Sequence, residues 1–149
     1  MSYSSLQSDI LDDYTGGYAE SDYDEFVSNR VDNAIPVMSY DIIRAWESLS
    51  RTDPEYYDGD GGIIDRMVWV IVEEWREDIE SDMQMIQDDA ALHLSGQIAE
   101  LPRTGWDADT QSECGDIVEG LEAVLRAEYF PQQQHEFLVD AAEFIRRYR

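Results

Sequence analysis

Lysine is missing from this chain, and all ten of its basic residues are arginines. That absence removes every side-chain amine on which Schiff-base chemistry could run. Cys114 is the only cysteine, so no intramolecular disulfide can form and a reducing compartment is expected. Its neighbours in Ser112-Glu113-Cys114-Gly115-Asp116 include no base that would lower a thiol pKa, which argues against a nucleophile. Long hydrophobic runs are absent too. The longest, Met67–Val72, is far too short to span a bilayer. Met1–Ile10 shows neither the basic region nor the apolar stretch of a signal peptide, so the expected location is the cytoplasm. The chain lacks a phosphate-cradling glycine loop, a dinucleotide fingerprint and a Gly-x-Ser-x-Gly elbow. A chain without these signatures is expected to be no enzyme and to need no cofactor.

What the chain has in excess is acid. Thirty-four Asp and Glu face ten arginines across 149 residues, for a net charge of -24. A chain of this length matches one domain, and residues 1–149 read as a single acidic helical domain, with 1–36 as an N-terminal helical arm. Hydrophobic residues make up 43% and aromatics 11%, including four Trp and nine Tyr, which distinguishes it from a disordered acidic tail. Such a field repels nucleic acid and anionic membranes and favours cationic partners.

Apolar residues recur at helical spacing almost throughout, which predicts an all-α bundle of five or six helices. A first helix is expected over Ser4–Tyr14, broken by Gly16-Gly17, and a second over Glu20–Asn33 with Tyr23, Phe26, Val27 and Val31 inward. Pro36 forces a turn, after which Ser39 would cap a third helix over Tyr40–Ser50. The dominant element follows. Ile63 to Leu94 contains no Gly or Pro, and Ile64, Val68, Ile71, Trp75, Ile79, Met83, Ile86 and Ala90 step by three or four. It reads as one long central helix, with a bend or break expected near Ser81 where the pattern weakens. Ser95–Ser112 reads as a loop. The last two helices are expected over Glu113–Tyr129, burying Ile117, Val118, Leu121, Val124 and Leu125, and over Gln132–Tyr148. Trp46, Trp69 and Trp75 are expected in the core, whereas Tyr14, Tyr18, Tyr56 and Tyr57 read as loop residues suited to a protein interface.

Within the long helix, Glu73, Glu74, Glu77, Asp78, Glu80 and Asp82 place six carboxylates in ten residues, and Asp88 and Asp89 continue the pattern. Glu73, Glu77 and Glu80 share one stripe by spacing; Glu74, Asp78 and Asp82 share another. Carboxylates one turn apart repeat every ~5 Å along a helix, on the same few-ångström scale as phosphates along a nucleic-acid strand. Metal sites read poorly by contrast. Asp58-Gly59-Asp60-Gly61-Gly62-Ile63 matches part of an EF-hand loop, but Tyr56 and Met67 occupy its first and twelfth positions, where Asp and Glu are required. His93 and His135 form no zinc spacing. No metal is expected.

Taken with the absence of catalytic signatures, these acids make the chain resemble the small acidic proteins with which bacteriophages counter host defence, the DNA-mimic anti-restriction and anti-CRISPR inhibitors. The segment from Val31 to Ile43 is also similar to an N-terminal stretch common in phage-encoded proteins. The resemblance implies a host bacterial cytoplasm and a partner with a basic surface: a nucleic-acid-binding protein or nuclease complex. It implies no direct contact with nucleic acid or membrane. The chain would act alone or as a homodimer. Two other classes share this surface physics, namely an immunity protein or antitoxin neutralising a basic nuclease toxin, and a phage assembly or scaffolding helper.

Overall fold

The computed structural model describes residues 3–34, 44 and 63–149, and among these every regular element is a helix. Five helices are described: α1 (Tyr3–Gly16), α2 (23–34), α3 (Ile63–Ala99), α4 (Ala108–Leu125) and α5 (Pro131–Tyr148). The expected helix at Tyr40–Ser50 lies outside the described residues apart from Arg44, which is helical. Trp46, Tyr56, Tyr57 and the EF-hand-like turn at 58–62 also lie outside them.

Several boundaries have a local cause. Gly17 takes φ +79°, a left-handed conformation that ends α1 at little steric cost. Asp22 then starts α2, its carboxylate accepting from the Glu25 amide at 2.9 Å. Asp107 caps α4 by accepting from the Thr110 amide at 2.8 Å. Pro131 opens α5 at a position where its missing amide costs nothing. α4 ends in paired reverse bonds, Glu128 N–H to the Ala123 carbonyl and Ala127 N–H to that of Val124, which place Ala127 at φ 51°.

α3 is the scaffold. Its 37 residues make a rod about 55 Å long, against which α1, α4 and α5 all pack. No break occurs at Ser81. Ile79, Met83, Ile86, Ala90, Leu94 and Ile98 of α3 are buried with Leu6, Ile10 and Tyr14 of α1, Phe26, Val27 and Val31 of α2, Leu121 and Val124 of α4, and Leu138, Phe144 and Ile145 of α5. Residues 3–34 thus contribute to the same core as the rest. At Gly120 an added Cβ would lie 3.2 Å from the Phe137 ring, so the missing side chain lets α4 and α5 approach closely. Among the described residues no helix is long and apolar enough to cross a membrane.

Several expectations are corrected. α3 runs on through Ser95 to Ala99, and α4 begins at Ala108, leaving a connector much shorter than Ser95–Ser112. Leu125 is 37% exposed and Trp69 is 65% exposed, so neither is core. Trp75 is partly buried and packs on the core. Tyr14 is fully buried inside α1 and is no loop residue, whereas Tyr18 is exposed as expected. The side chains of Ile64 and Val68 fall outside the described ones.

Candidate functional site

The packing of α3 fixes what its acids can do. At about 100° per residue, Glu73, Glu74, Glu77, Asp78, Glu80, Asp82, Asp88 and Asp89 cover roughly 200° of the helix circumference, centred opposite the buried Ile79, Met83 and Ala90. The two sequence stripes become two flanks, Glu73/Glu77/Glu80 on one side and Glu74/Asp78/Asp82 on the other, separated by about 130° on that wheel. From Glu73 to Asp89 the face runs about 24 Å.

The eight carboxylates are not equivalent. Glu74, Glu77, Asp78, Glu80 and Asp89 are exposed, whereas Glu73, Asp82 and Asp88 are half-buried. Glu73 pairs with Arg76 across 3.4 Å. Asp82 accepts from Gln7 Nε2 of α1 at 2.9 Å, and Asp88 accepts from Gln84 Nε2 at 2.8 Å. The Asp82 bond helps seat α3 against α1, and the Asp88 bond stays within α3, so the five exposed acids are the ones left for a partner. Arg66 and Arg76 are the only arginines on α3.

Acid crowding extends beyond α3. Glu113, Asp116, Asp140 and Glu143 line a groove of about 440 Å³ between α4 and α5, where Arg147 pairs with Glu113. Burial, reinforced by repulsion from Glu143, Glu136 and Glu113, raises the Asp140 pKa above its ordinary value. Burial likewise raises that of Asp13 despite its ion pair with Arg30.

The sequence reading passes over a second constellation, this one inside the core. The Tyr14 hydroxyl lies 2.6 Å from His135 Nδ1, and His135 Nε2 lies 2.7 Å from the Glu20 carbonyl oxygen. A carbonyl only accepts, so Nε2 carries the proton and Nδ1 accepts from Tyr14. Gln87 Nε2 donates to the Pro131 carbonyl at 2.8 Å and, at 3.4 Å, to the Tyr14 hydroxyl. Gln134 Nε2 donates to Gln84 Oε1 and Gln87 Oε1. The network ties α1, α3, α5 and the α1–α2 connector together. Its sequence signal is periodicity: Tyr14 lies four residues after Ile10, Gln87 four after Met83, and Gln134 four before Leu138, all on apolar stripes.

Chemically the pair is a lock rather than an acid–base dyad open to substrate. Tyr14, His135, Gln87 and Gln134 are all fully buried. Desolvation raises the Tyr14 pKa, and pushes that of the neighbouring Tyr23 up to about 12. It lowers that of His135 below its usual 6.5, although the Glu20 carbonyl and nearby Asp22, Glu136 and Glu20 oppose it.

A pH dependence follows. The unfolded imidazole binds its proton first as pH falls through about 6.5 and the folded one only at lower pH, so stability drops across that window as pH falls. The raised Asp13 and Asp140 act with the opposite sign, because their burial penalty is relieved once they are protonated at lower pH. Urea unfolding at pH 7.5 and 5.5 should show the wild type less stable at the lower pH. His135→Gln should show little of this loss.

Cys114 is buried, and among the described residues no group of His, Cys, Asp and Glu is disposed to hold a metal ion. The arrangement offers a charged surface on one long continuous helix and a buried polar network in the core. Comparison with family models, curated proteins and solved structures finds no match to this chain.

Proposed function

We propose that this chain is an acidic, nucleic-acid-mimicking inhibitor. It binds the basic nucleic-acid-binding surface of a bacterial defence nuclease or complex, of the anti-CRISPR or anti-restriction type. One observation carries the reading: the solvent half of α3 presents carboxylates over about 24 Å of one continuous helix packed on the core, with Arg66 and Arg76 the only arginines of that helix. A helix held by its core packing keeps its charges in place before the partner arrives, which saves ordering entropy on binding. A field of this sign steers association with a cationic groove and weakens as salt screens it. Capture from bacterial lysate on the immobilised chain at low salt tests the proposal. Nucleic-acid-binding proteins should be retained, and retention of none would defeat it.

A second reading is favoured by the acids of α4 and α5, which extend the negative surface beyond α3. Acid distributed over a whole surface suits a protein that works at molar salt, where the Debye length shrinks to about 3 Å and self-repulsion is screened. Thermal melting against salt separates the two. Cooperative melting already present near 0.1 M salt supports the inhibitor, whereas a fold that forms only above roughly 1 M assigns the charge to solvation.

A further inference from the structure

The outward side of α3 carries a second pattern interleaved with its acids. Met67, Glu74, Asp78, Met85 and Leu92 follow one another at intervals of four or seven residues, with the half-buried Ile71 at the seam's inner edge. On a helix such spacing draws one continuous seam, here about 38 Å long. Met67, Met85 and Leu92 are 39%, 55% and 60% exposed, and Val70 beside them is 48% exposed. At the N-terminal end, Arg66, Met67, Val70, Ile71 and Glu74 line a shallow apolar depression of about 450 Å³. A single exposed apolar side chain on a helix needs no explanation. Several in one register, with acids between them, form the apolar-anchor pattern by which a helix engages a protein partner.

We propose that this seam docks a cationic amphipathic segment of the partner protein, apolar at its two ends and rich in arginine or lysine at its centre. The proposal rests on the reading that the acidic face of α3 is the interface, and it specifies what that interface recognises. Charge complementarity sets the centre, where Glu74 and Asp78 are both exposed. The apolar contacts set the ends, with Met67, Val70 and Ile71 at one and Met85 and Leu92 at the other. A second copy of this chain fits badly. Parallel pairing sets Glu74 and Asp78 against themselves, and antiparallel pairing about Ser81 sets Glu74 near Asp88 and Asp89. Nucleic acid is repelled outright. An interface of this composition keeps affinity at salt concentrations that abolish purely electrostatic binding, because apolar burial is not screened.

Calorimetry on the full chain provides the test. The probe is a helical peptide of about 28 residues with leucines at heptad positions in its outer turns and arginines in its central turns, compared with a scrambled peptide of the same composition. The patterned peptide should bind one to one, at least ~10-fold tighter than the scramble, and should lose less than ~10-fold between about 0.05 and 0.5 M salt. Met85→Ser/Leu92→Ser, both at exposed positions, should weaken it by at least ~10-fold with unchanged helicity. Phe130→Ser, at an exposed side chain off α3, should leave it unchanged. Equal binding of the scramble, no effect of the double variant, or an equal loss with Phe130→Ser would each overturn the seam. Captured partner protein distinguishes the two levels of the account. If Glu74→Lys/Glu77→Lys/Asp78→Lys abolishes its binding while Met85→Ser/Leu92→Ser does not, the acidic interface stands and the seam falls. If the triple variant still binds, the acidic interface itself falls.

Discussion

Replacing His135 with alanine should destabilise the fold by about 4 kcal/mol, a large fraction of the 5–15 kcal/mol typical of a domain. Three losses combine. The Tyr14 hydroxyl and the Glu20 carbonyl each lose a partner, and a buried polar group left without one costs about 1–3 kcal/mol. The ring also packs against Tyr14, Tyr23 and Phe26 at centroid distances of 5.3, 5.6 and 5.3 Å. Removing it leaves a cavity among aromatic walls. Tyr14→Phe should cost less, about 1–2 kcal/mol, since it keeps the ring and strands mainly Nδ1. The double variant should then cost at least ~1 kcal/mol less than the two single costs together, because both changes break the same hydrogen bond. Chemical denaturation of the four proteins measures this coupling. Strict additivity would mean that the Tyr14–His135 bond does not hold α1 to α5.

The largest functional effect is expected from Glu74→Lys/Glu77→Lys/Asp78→Lys. All three residues are exposed, and reversing them moves the net charge six units toward zero from -24. Asp82 is left intact because it accepts from Gln7 and so helps anchor α1. Glu74 and Asp78 stand four apart, where like charges oppose helix formation by a few tenths of a kcal/mol. The lysines introduced at these two positions would repel each other as the acids do, while gaining attraction to the remaining carboxylates. Stability should therefore change by no more than about 0.5 kcal/mol. Affinity for a basic partner should fall at least ~100-fold, because each reversal replaces an attraction with a repulsion, and the loss should shrink as salt rises. Inhibition assays paired with melting curves separate the two quantities. A triple variant that inhibits like the wild type would move the interface off this face.

The parts of the fold that are legible in the sequence are those that periodicity alone determines. The steps from Ile71 to Ala90, with no Gly or Pro between Ile63 and Leu94, define α3 and its buried side before any partner is known. Tyr23, Phe26, Val27 and Val31 likewise mark the inner face of α2. Boundaries are less legible where packing overrides propensity. Ser95 and Gly96 suggest a loop, yet Leu94 and Ile98 are buried on either side of them and carry the helix through. The bulk of Trp69 argues for the core, although its position lies off the stripe of Ile71, Trp75 and Ile79. Aromatic size is a weaker guide than register. The neighbours Asp12 and Asp13 suggest a loop around Tyr14, while its spacing from Leu6 and Ile10 puts it in the core.

The acidic candidates can be named from sequence but not ranked. Which carboxylate is free for a partner depends on residues far along the chain, such as Gln7 for Asp82, 75 positions away. The buried polar network is illegible for the same reason. His135 is adjacent to Glu136 in sequence, yet it is held by Tyr14, 121 positions distant. Burial of a polar side chain is stabilised only by partners that the fold brings to it.

Mutual exclusion tests the central claim most directly. A protein captured by the immobilised chain is presented with increasing duplex DNA at low salt, and the amount it retains on the chain is measured. Mimicry predicts that DNA displaces the captured protein completely, with competition that weakens both binding reactions in parallel as salt rises. A captured protein that stays bound to the chain while it binds saturating DNA would contradict the account.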